Sequence, residues 1–370
     1  MWRRAGWLAA AAFAVVEAIW ALRRPLDDLH VYRGAVRAMW HGESLYSFVA
    51  GNGDPFTYPP FAGLVLAPLA GPPEPVLRVL WTALTLAAVA ACALLIARRL
   101  PWTPAPLVLL ALLASAPVVR DVRFGQVSVL LAGLVLLDGL GRGRGLATGI
   151  AAAVKLTPLV FVPHLWLAGR RRAALTAGAT FASATALAWL VLPADSTRYW
   201  FSELWHTDRI GNLALTGNQS LNGLLLRSGL PSGWVRPVWA VLVVVVLGVG
   251  LLRAARAARG GYPLVGLAIA GAVCVAVSPV SWTHHQIWLV LAVAGTVGSR
   301  PAGWWAWRLA VLVVMIVPSD WLLPVPYLTD NARGLLALAV AAVVPFRETR
   351  RSPPTREAPA PAPDGLMSPA

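Results

Sequence analysis

Apolar runs recur along the chain from Trp7 to Phe346, with only short polar breaks between them. Such a pattern predicts helices that cross lipid, where each backbone polar group must find its partner inside its own segment. The run from Ala5 to Leu22 follows Arg3 and Arg4 and is itself followed by many further spans, so it predicts an uncleaved first helix with a cytoplasmic N-terminus. Pro59 to Ala70 is apolar for only about 12 residues, roughly 18 Å of helix against about 30 Å of hydrocarbon, and predicts a half-span or re-entrant piece. Between Gly145 and Gly169 two short apolar halves meet at Lys155-Leu-Thr-Pro158, the pattern of a broken helical hairpin. In Asp27 to Trp40, Val31, Ala35, Ala38 and Met39 are spaced for one helical face, while Arg33 and Arg37 share another. That stretch predicts an amphipathic helix on the outer membrane surface. The expected fold class is all-α, a polytopic membrane protein.

Composition sharpens this picture. Of 370 residues 58% are hydrophobic and only 13% charged, about half of what a soluble chain needs, which excludes an ordinary soluble globule. Basic residues outnumber acidic ones 31 to 16, for a formal charge of +15. Apart from Lys155 all are arginines, gathered at the ends of apolar runs, so the charge marks topology and no nucleic-acid partner is expected. The clusters Arg98-Arg99, Arg142 with Arg144, Arg170 to Arg172, Arg253 with Arg256 and Arg259, and Arg347 with Arg350 and Arg351 fall where alternating spans put the cytoplasm. The outward loops are then the Asp27 region, Arg120 to Gln126, Asp195 to Gly233, Ser278 to Gln286 and Pro318 to Asn331. The Pro- and Arg-rich end of the chain reads as a disordered cytoplasmic tail, giving a membrane domain over 1–345 and a tail over 346–370. Cys92 and Cys274 lie inside apolar runs and behave as small hydrophobes.

Ionisable groups at membrane depth are too costly to be incidental. Lys155 sits at the proline-marked break, where an ammonium and a helix terminus can hold an anion together, or where a lysine can snorkel to the interface. Glu17, in the middle of the first helix, calls for an arginine across the bundle. Asp27 and Asp28 point about 100° apart if both are helical, so at most one faces a site. An aspartate there either caps the helix or serves as a general base, and residue types alone leave both open. The outward segments Pro55 to Pro60, Arg123 to Ser128, Gly217 to Gly223 and Ser278 to Gln286 mix turn formers with amide, hydroxyl, imidazole and aromatic groups suited to a sugar or a phosphate. His284 and His285 are adjacent and have no third ligand nearby in sequence, so no metal site is expected.

Taken together, Asp28-Leu-His-Val-Tyr-Arg-Gly-Ala35, Gly42-Glu-Ser-Leu-Tyr46, Phe56-Thr-Tyr-Pro-Pro60, Gly125-Gln-Val-Ser128, Lys155-Leu-Thr-Pro158, Asn218-Gln-Ser-Leu221 and Ser278-Pro-Val-Ser-Trp-Thr-His-His285 resemble the polyprenol-phosphate-mannose-dependent α-1,2-mannosyltransferases of glycosyltransferase family 87. The resemblance implies a GT-C type bundle of about 10–13 transmembrane or half-spanning helices with an amphipathic external helix. It also implies transfer of mannose on the outer face, from a polyprenyl-phosphate-sugar donor to a mannoside glycolipid or polysaccharide acceptor, without a cofactor. An aspartate of the first external loop acts as general base in that family; it maps onto Asp28, with Asp27 the alternative. The matching motifs offer Tyr32, Arg33, Tyr58, Gln126, Lys155, Asn218, Gln219, His284 and His285 for substrate or donor binding, with Arg33, Lys155 or a protonated His285 as the cation facing the phosphate. Ser128 stands where the motif often ends in Asn.

Two other readings compete. A transporter or lipid flippase would use broken helices and buried charge equally well, but the chain has no repeated halves and its polar residues collect in outward loops. A GT-C enzyme using another polyprenyl-phosphate sugar would keep the fold and change only the pocket.

Overall fold

The computed structural model describes residues 2–100, 103–141, 143–296, 301–318, 325–344 and 347–348. Arg142, part of the Pro318 to Asn331 loop and almost all of the 346–370 tail lie outside the described residues. The described chain is predominantly helical: α1 Trp2–Arg23, α2 Asp27–Trp40, α3 Pro60–Leu66, α4 Glu74–Ala97, α5 Ala105–Ala114, α6 Ala116–Phe124, α7 Ser128–Leu140, α8 Leu146–Val154, α9 Phe161–Leu167, α10 Arg171–Val191, α11 Pro193–Phe201, α12 Leu221–Arg227, α13 Ser232–Arg259, α14 Pro263–Val277, α15 Ile287–Val290, α16 Pro301–Ile316, α17 Pro326–Asp330 and α18 Ala332–Leu338. The strand pairing among these residues is the two-residue antiparallel contact of Gly295–Thr296 with Arg347–Glu348.

Four helices are long and apolar enough to cross a bilayer, Arg4–Arg23, Glu74–Ala97, Arg171–Val191 and Ser232–Arg259, and α5 with α6 makes a further candidate bent by 66°. Shorter apolar helices fill in between them, including Pro60–Ala70 and Thr157–Leu167, where half-length pieces were expected. The long helices turn large apolar side chains outward, among them Leu8, Val15 and Val16 on α1, Leu80 and Leu84 on α4, Leu187 and Leu190 on α10 and Val241 and Val244 on α13. A face of that kind is stable when lipid is its solvent. At the centre stands α14, buried on all sides from Leu264 to Ala276 and packed by α13, α15 and α18. Its C-terminal end delivers Val277 and Ser278 to the interior cavity described below.

The amphipathic helix forms over the expected residues, but its inward face is rotated. Leu29, Val31, Tyr32, Ala35 and Val36 are buried, while Ala38 and Met39 are only half-buried. The reason lies in its partner. Helix α2 rests on α3 and the 3₁₀ turn Ala67–Ala70, and its arginines secure it there. Arg37 Nε donates to the Ala70 carbonyl at 3.0 Å and Arg33 Nη2 to the Pro72 carbonyl at 2.8 Å. Ala70 ends its turn, so its carbonyl lacks a partner there, and arginines are apt partners for such groups.

Two expected outward loops prove to be partly helical. Within Arg120 to Gln126 the chain is helical through Phe124, because Val118 and Val122, four residues apart, bury a small stripe that the surrounding charges conceal in the sequence. The helix stops at Gly125, whose φ of 70° is left-handed. Arg123 does not reach into a sugar site: its Nε and Nη2 each donate to Glu17 at 2.9 Å, the cross-bundle partner Glu17 required. The Asp195 to Gly233 stretch holds most of α11 and all of α12, the latter capped by Ser220 Oγ, which accepts from the Gly223 amide at 3.1 Å.

Candidate active site

Asp27 and Asp28 open α2. The N-cap position is Leu26, and no side chain caps the helix, so neither aspartate takes the capping role. Both line one large cavity of about 1010 Å³, which corrects the expectation that at most one would face a site. The cavity is wide enough to receive two side chains that diverge by a helical step, but their surroundings differ. Burial, and then the charge of Asp54, raise the Asp27 carboxyl above its ordinary range, and His30 opposes the rise. Asp28 accepts a hydrogen bond from the Gln126 side chain and feels the charge of Lys155. Burial pushes the Asp28 carboxyl up to about 7, and Asp54 and Asp27 add to the rise, while the Gln126 hydrogen bond and Lys155 oppose it.

Behind Asp28 the polar side chains interlock. Gln126 Oε1 accepts from Tyr32 Oη and from Tyr58 Oη, both at 2.9 Å, and the two phenol oxygens lie 2.8 Å apart. With its carbonyl occupied, the Gln126 amide group has its N–H donors free for the aspartate. Lys155 Nζ donates to Tyr58 Oη at 3.1 Å and meets His285 Nε2 at 2.8 Å. An ammonium can only donate, so His285 Nε2 accepts and the ring carries its proton on Nδ1. Burial, and then the Lys155 charge, hold His284 and His285 well below the usual histidine range. His285 is therefore neutral and does not supply the cation that the sequence offered there. The break between α8 and α9 makes this possible, since Lys155 leaves the helix in an extended conformation, φ −148° and ψ 131°, beside the cavity.

Thus Asp27, Asp28, Tyr32, Tyr58, Gln126, Lys155, His284 and His285 come together around one cavity. Three other sequence candidates lie outside its lining. Arg33 is held by the Pro72 carbonyl and stands 3.9 Å from Glu74. Asn218 Oδ1 accepts from the Ser281 amide at 2.9 Å and its Nδ2 donates to the Leu213 carbonyl at 3.0 Å. Gln219 Nε2 donates to the Thr216 and Asp330 carbonyls, both at 2.6 Å, while its Oε1 accepts from the Gly334 amide at 2.7 Å. Both amides spend their capacity on backbone, tying the histidine loop and α18 to the start of α12. Among the described residues, no three His, Cys, Asp or Glu side chains gather as metal ligands.

Sequence reasoning passed over several groups. Asp121 is fully buried, and its Oδ2 accepts from the Val129 amide at 3.1 Å, fixing the start of α7 next to Gln126. Its place directly after Arg120 in a charged stretch disguised it as a loop residue. Asp54, Arg120 and Arg333 line the cavity but come from three separate segments. A contiguous rim from Glu203 to Gly217 supplies much of one wall, held by Glu203 between Arg198, at 2.6 Å, and Arg209. Ser128 Oγ is buried without a partner and borders a small void of about 20 Å³ shared with Lys155 and His285.

The model of glycosyltransferase family 87 matches residues 56–279. The match begins after α2, so Asp27 and Asp28 lie before it. A relative from Mycobacterium tuberculosis (strain ATCC 25618 / H37Rv), named polyprenol-phosphate-mannose-dependent alpha-(1-2)-phosphatidylinositol mannoside mannosyltransferase, is 35% identical over 72% of this chain and 69% of its own length. A Mycolicibacterium smegmatis relative of the same name is 33% identical over 75% of this chain and 71% of its own. A third, from Mycobacterium tuberculosis (strain CDC 1551 / Oshkosh) and named as the pentamannoside mannosyltransferase, is 33% identical over 80% of this chain and 72% of its own. No solved structure matches the chain.

Proposed function

The chain belongs to glycosyltransferase family 87 and is a multi-pass membrane glycosyltransferase, and from that premise we propose that it moves mannose from polyprenyl-phosphate-mannose to a hydroxyl of a mannosylated acceptor, with Asp28 as the general base. The acceptor class follows the names of the relatives, which act on phosphatidylinositol mannosides. The observation that carries the reading is the environment of Asp28. Its carboxyl is lifted to about 7, it opens on a large cavity, and it is oriented by Gln126. A base poised near the working pH combines a useful ionised fraction with a real affinity for the incoming proton.

The step needs one base. The acceptor hydroxyl gives its proton to an Asp28 oxygen as its own oxygen bonds to the anomeric carbon. The bond from that carbon to the phosphate oxygen breaks, and polyprenyl phosphate leaves with the electron pair. A β-linked donor then yields an α product by a single in-line displacement. Lys155 holds the Tyr58 hydroxyl and lends positive charge to the ionised aspartate. The cavity opens on the outer face in this reading, with both termini in the cytoplasm, and an α-1,2 linkage is the expected product.

The test supplies purified protein with radiolabelled polyprenyl-phosphate-mannose and a panel of mannosides that includes phosphatidylinositol mannosides. Labelled product from the wild type and none from Asp28→Asn is expected. Equal product from both proteins removes Asp28 from the mechanism, and no product from the wild type with any acceptor removes the reading itself.

A further inference from the structure

The cavity holds a second charged centre that the step above does not use. Arg120, on α6, and Arg333, on α18, both line it, and the charge of Arg120 is felt at Arg333. Arg333 Nε donates to the Val314 carbonyl at 3.2 Å, which leaves both Nη groups without a hydrogen bond among the described residues. Those groups form the planar fork that grips oxyanions. The Arg120 guanidinium lies 5.8 Å from the centre of the Phe124 ring. Among the described residues neither arginine has a carboxylate in an ion pair, whereas Arg209, also in the cavity wall, is paired with Glu203. Two like charges gathered in a wall of low polarity repel until an anion joins them.

The neighbourhood says what kind of anion. Val314 and Ile316 belong to the end of α16, and Ile316 and Pro318, the latter just beyond the helix, line the same cavity. Ile316 exposes apolar surface where it lines the cavity, which suits a lipid tail, and Val325, Tyr327 and Leu328, outside the lining, are exposed in the segment that leads to Arg333. The distance from the base also matters. From Arg120 the wall passes through Phe124, whose ring centre is 6.0 Å from that of His284, then to His285 at 4.4 Å, and only then to Lys155. A run of ring contacts through Phe124, His284 and His285 thus links Arg120 to Lys155, and His284 feels the charge of both. An inverting displacement needs its base and its leaving group apart, across the reacting carbon. A phosphate on Lys155 would instead crowd the Asp28 carboxylate.

We infer that Arg120 and Arg333 form the binding site for the phosphodiester of the lipid-linked sugar donor, with the prenyl chain leaving past Ile316. The inference rests on the functional reading above and replaces Arg33, Lys155 and His285 as the cations that face the phosphate. When the sugar bond breaks, its electron pair goes to the phosphate, which passes from a diester with one negative charge to a monoester that carries up to two. Two guanidinium groups without other counter-charges match that change.

The test measures binding of farnesyl phosphate, a short prenyl phosphate, to the full-length protein in detergent, beside the uncharged alcohol farnesol. Wild type is expected to bind the phosphate and not the alcohol. Arg120→Gln and Arg333→Gln each weaken binding, and the double variant does so by about tenfold or more. In transfer assays the donor KM rises by a similar factor while the acceptor KM holds. Arg333→Lys, which keeps the charge without the fork, falls between wild type and Arg333→Gln. Undiminished binding in both single variants overturns the site, as does equal affinity of the wild type for farnesol, which settles the matter even if the double variant fails to fold. A rise in acceptor KM alone assigns the pair to the acceptor's phosphodiester and overturns the donor assignment. If the wild type transfers no mannose yet binds farnesyl phosphate through these arginines, the functional reading fails and the anion site stands.

Discussion

Asp27 and Asp28 are neighbours in sequence with different surroundings, and substitution separates them. Asp28→Asn keeps the shape and the hydrogen-bonding reach of the side chain but cannot take a proton, so activity should fall by about a hundredfold or more with little change in melting temperature. Asp27→Asn should hold activity within about tenfold, because Asp27 only adds charge near the base. The pH profile follows from the same carboxyl. Only the ionised form is a base, so kcat/KM should climb with rising pH and level off above about 7, the value to which burial lifts Asp28. Lys155 favours ionisation of Asp28, so Lys155→Gln should shift that rise to higher pH; an unmoved profile would separate the two residues. Lys155 was visible in the sequence because a charged group among apolar runs is conspicuous, whereas Tyr58 and Gln126 were reached through the motifs that resemble the family. Asn218 and Gln219 were equally conspicuous for a different reason: buried amides also serve as backbone partners, and residue type does not distinguish the two uses. Arg120 and Arg333 were missed because their meaning lies in each other, over a long stretch of chain.

At the level of helices, the site depends on how α2 meets the turn between α6 and α7. Gly125 makes that turn with left-handed backbone, and a Cβ there would stand 2.8 Å from the Cβ of Leu29 and 3.0 Å from that of Leu26. Gly125→Ala should cost about 1–2 kcal/mol for the backbone alone, with more from the clash, and should lower both the melting temperature and activity as α2 carries Asp28 away from Gln126. The crossing of α1 and α6 depends on Glu17 and Arg123. Glu17→Leu alone leaves a guanidinium without its partner and should destabilise by about 3–5 kcal/mol. The double variant Glu17→Leu with Arg123→Met should unfold closer to wild type than either single variant does, as measured by thermal melting in detergent. The period of the apolar residues revealed most of these elements before any coordinates, including the amphipathic helix and the break at Lys155. The short helix α6 escaped because the apolar residues it buries are only Pro117, Val118 and Val122, too few to stand out from the charges beside them.

Across the whole molecule the arrangement predicts a sidedness that labelling can read. In a background without Cys274, which borders the cavity, Asn52→Cys should react with a membrane-impermeant maleimide on intact cells, and Arg172→Cys only after lysis. Both positions are exposed. The opposite pattern would turn the cavity toward the cytoplasm and remove its access to an outer-face acceptor. The all-helical, many-pass architecture was legible because lipid imposes long apolar runs on any chain that crosses it. The cavity was not, since its wall is assembled from α2, α6, α18, the break after α8 and the loops following α2, α11 and α14, and no local pattern records which of these meet.

The rim from Glu203 to Gly217 carries a further consequence. It is a single uninterrupted stretch, fastened by Arg209 from within and by Arg198 and Arg227 from α11 and α12, whereas the proton-accepting floor is built from several distant elements. The rim and the proton-accepting floor are thus encoded in different parts of the chain. Exchanging this one cassette between paralogues should redirect which glycan is extended without disturbing the chemistry, and a lineage could acquire new branching habits through a few changes in a single exon-sized segment.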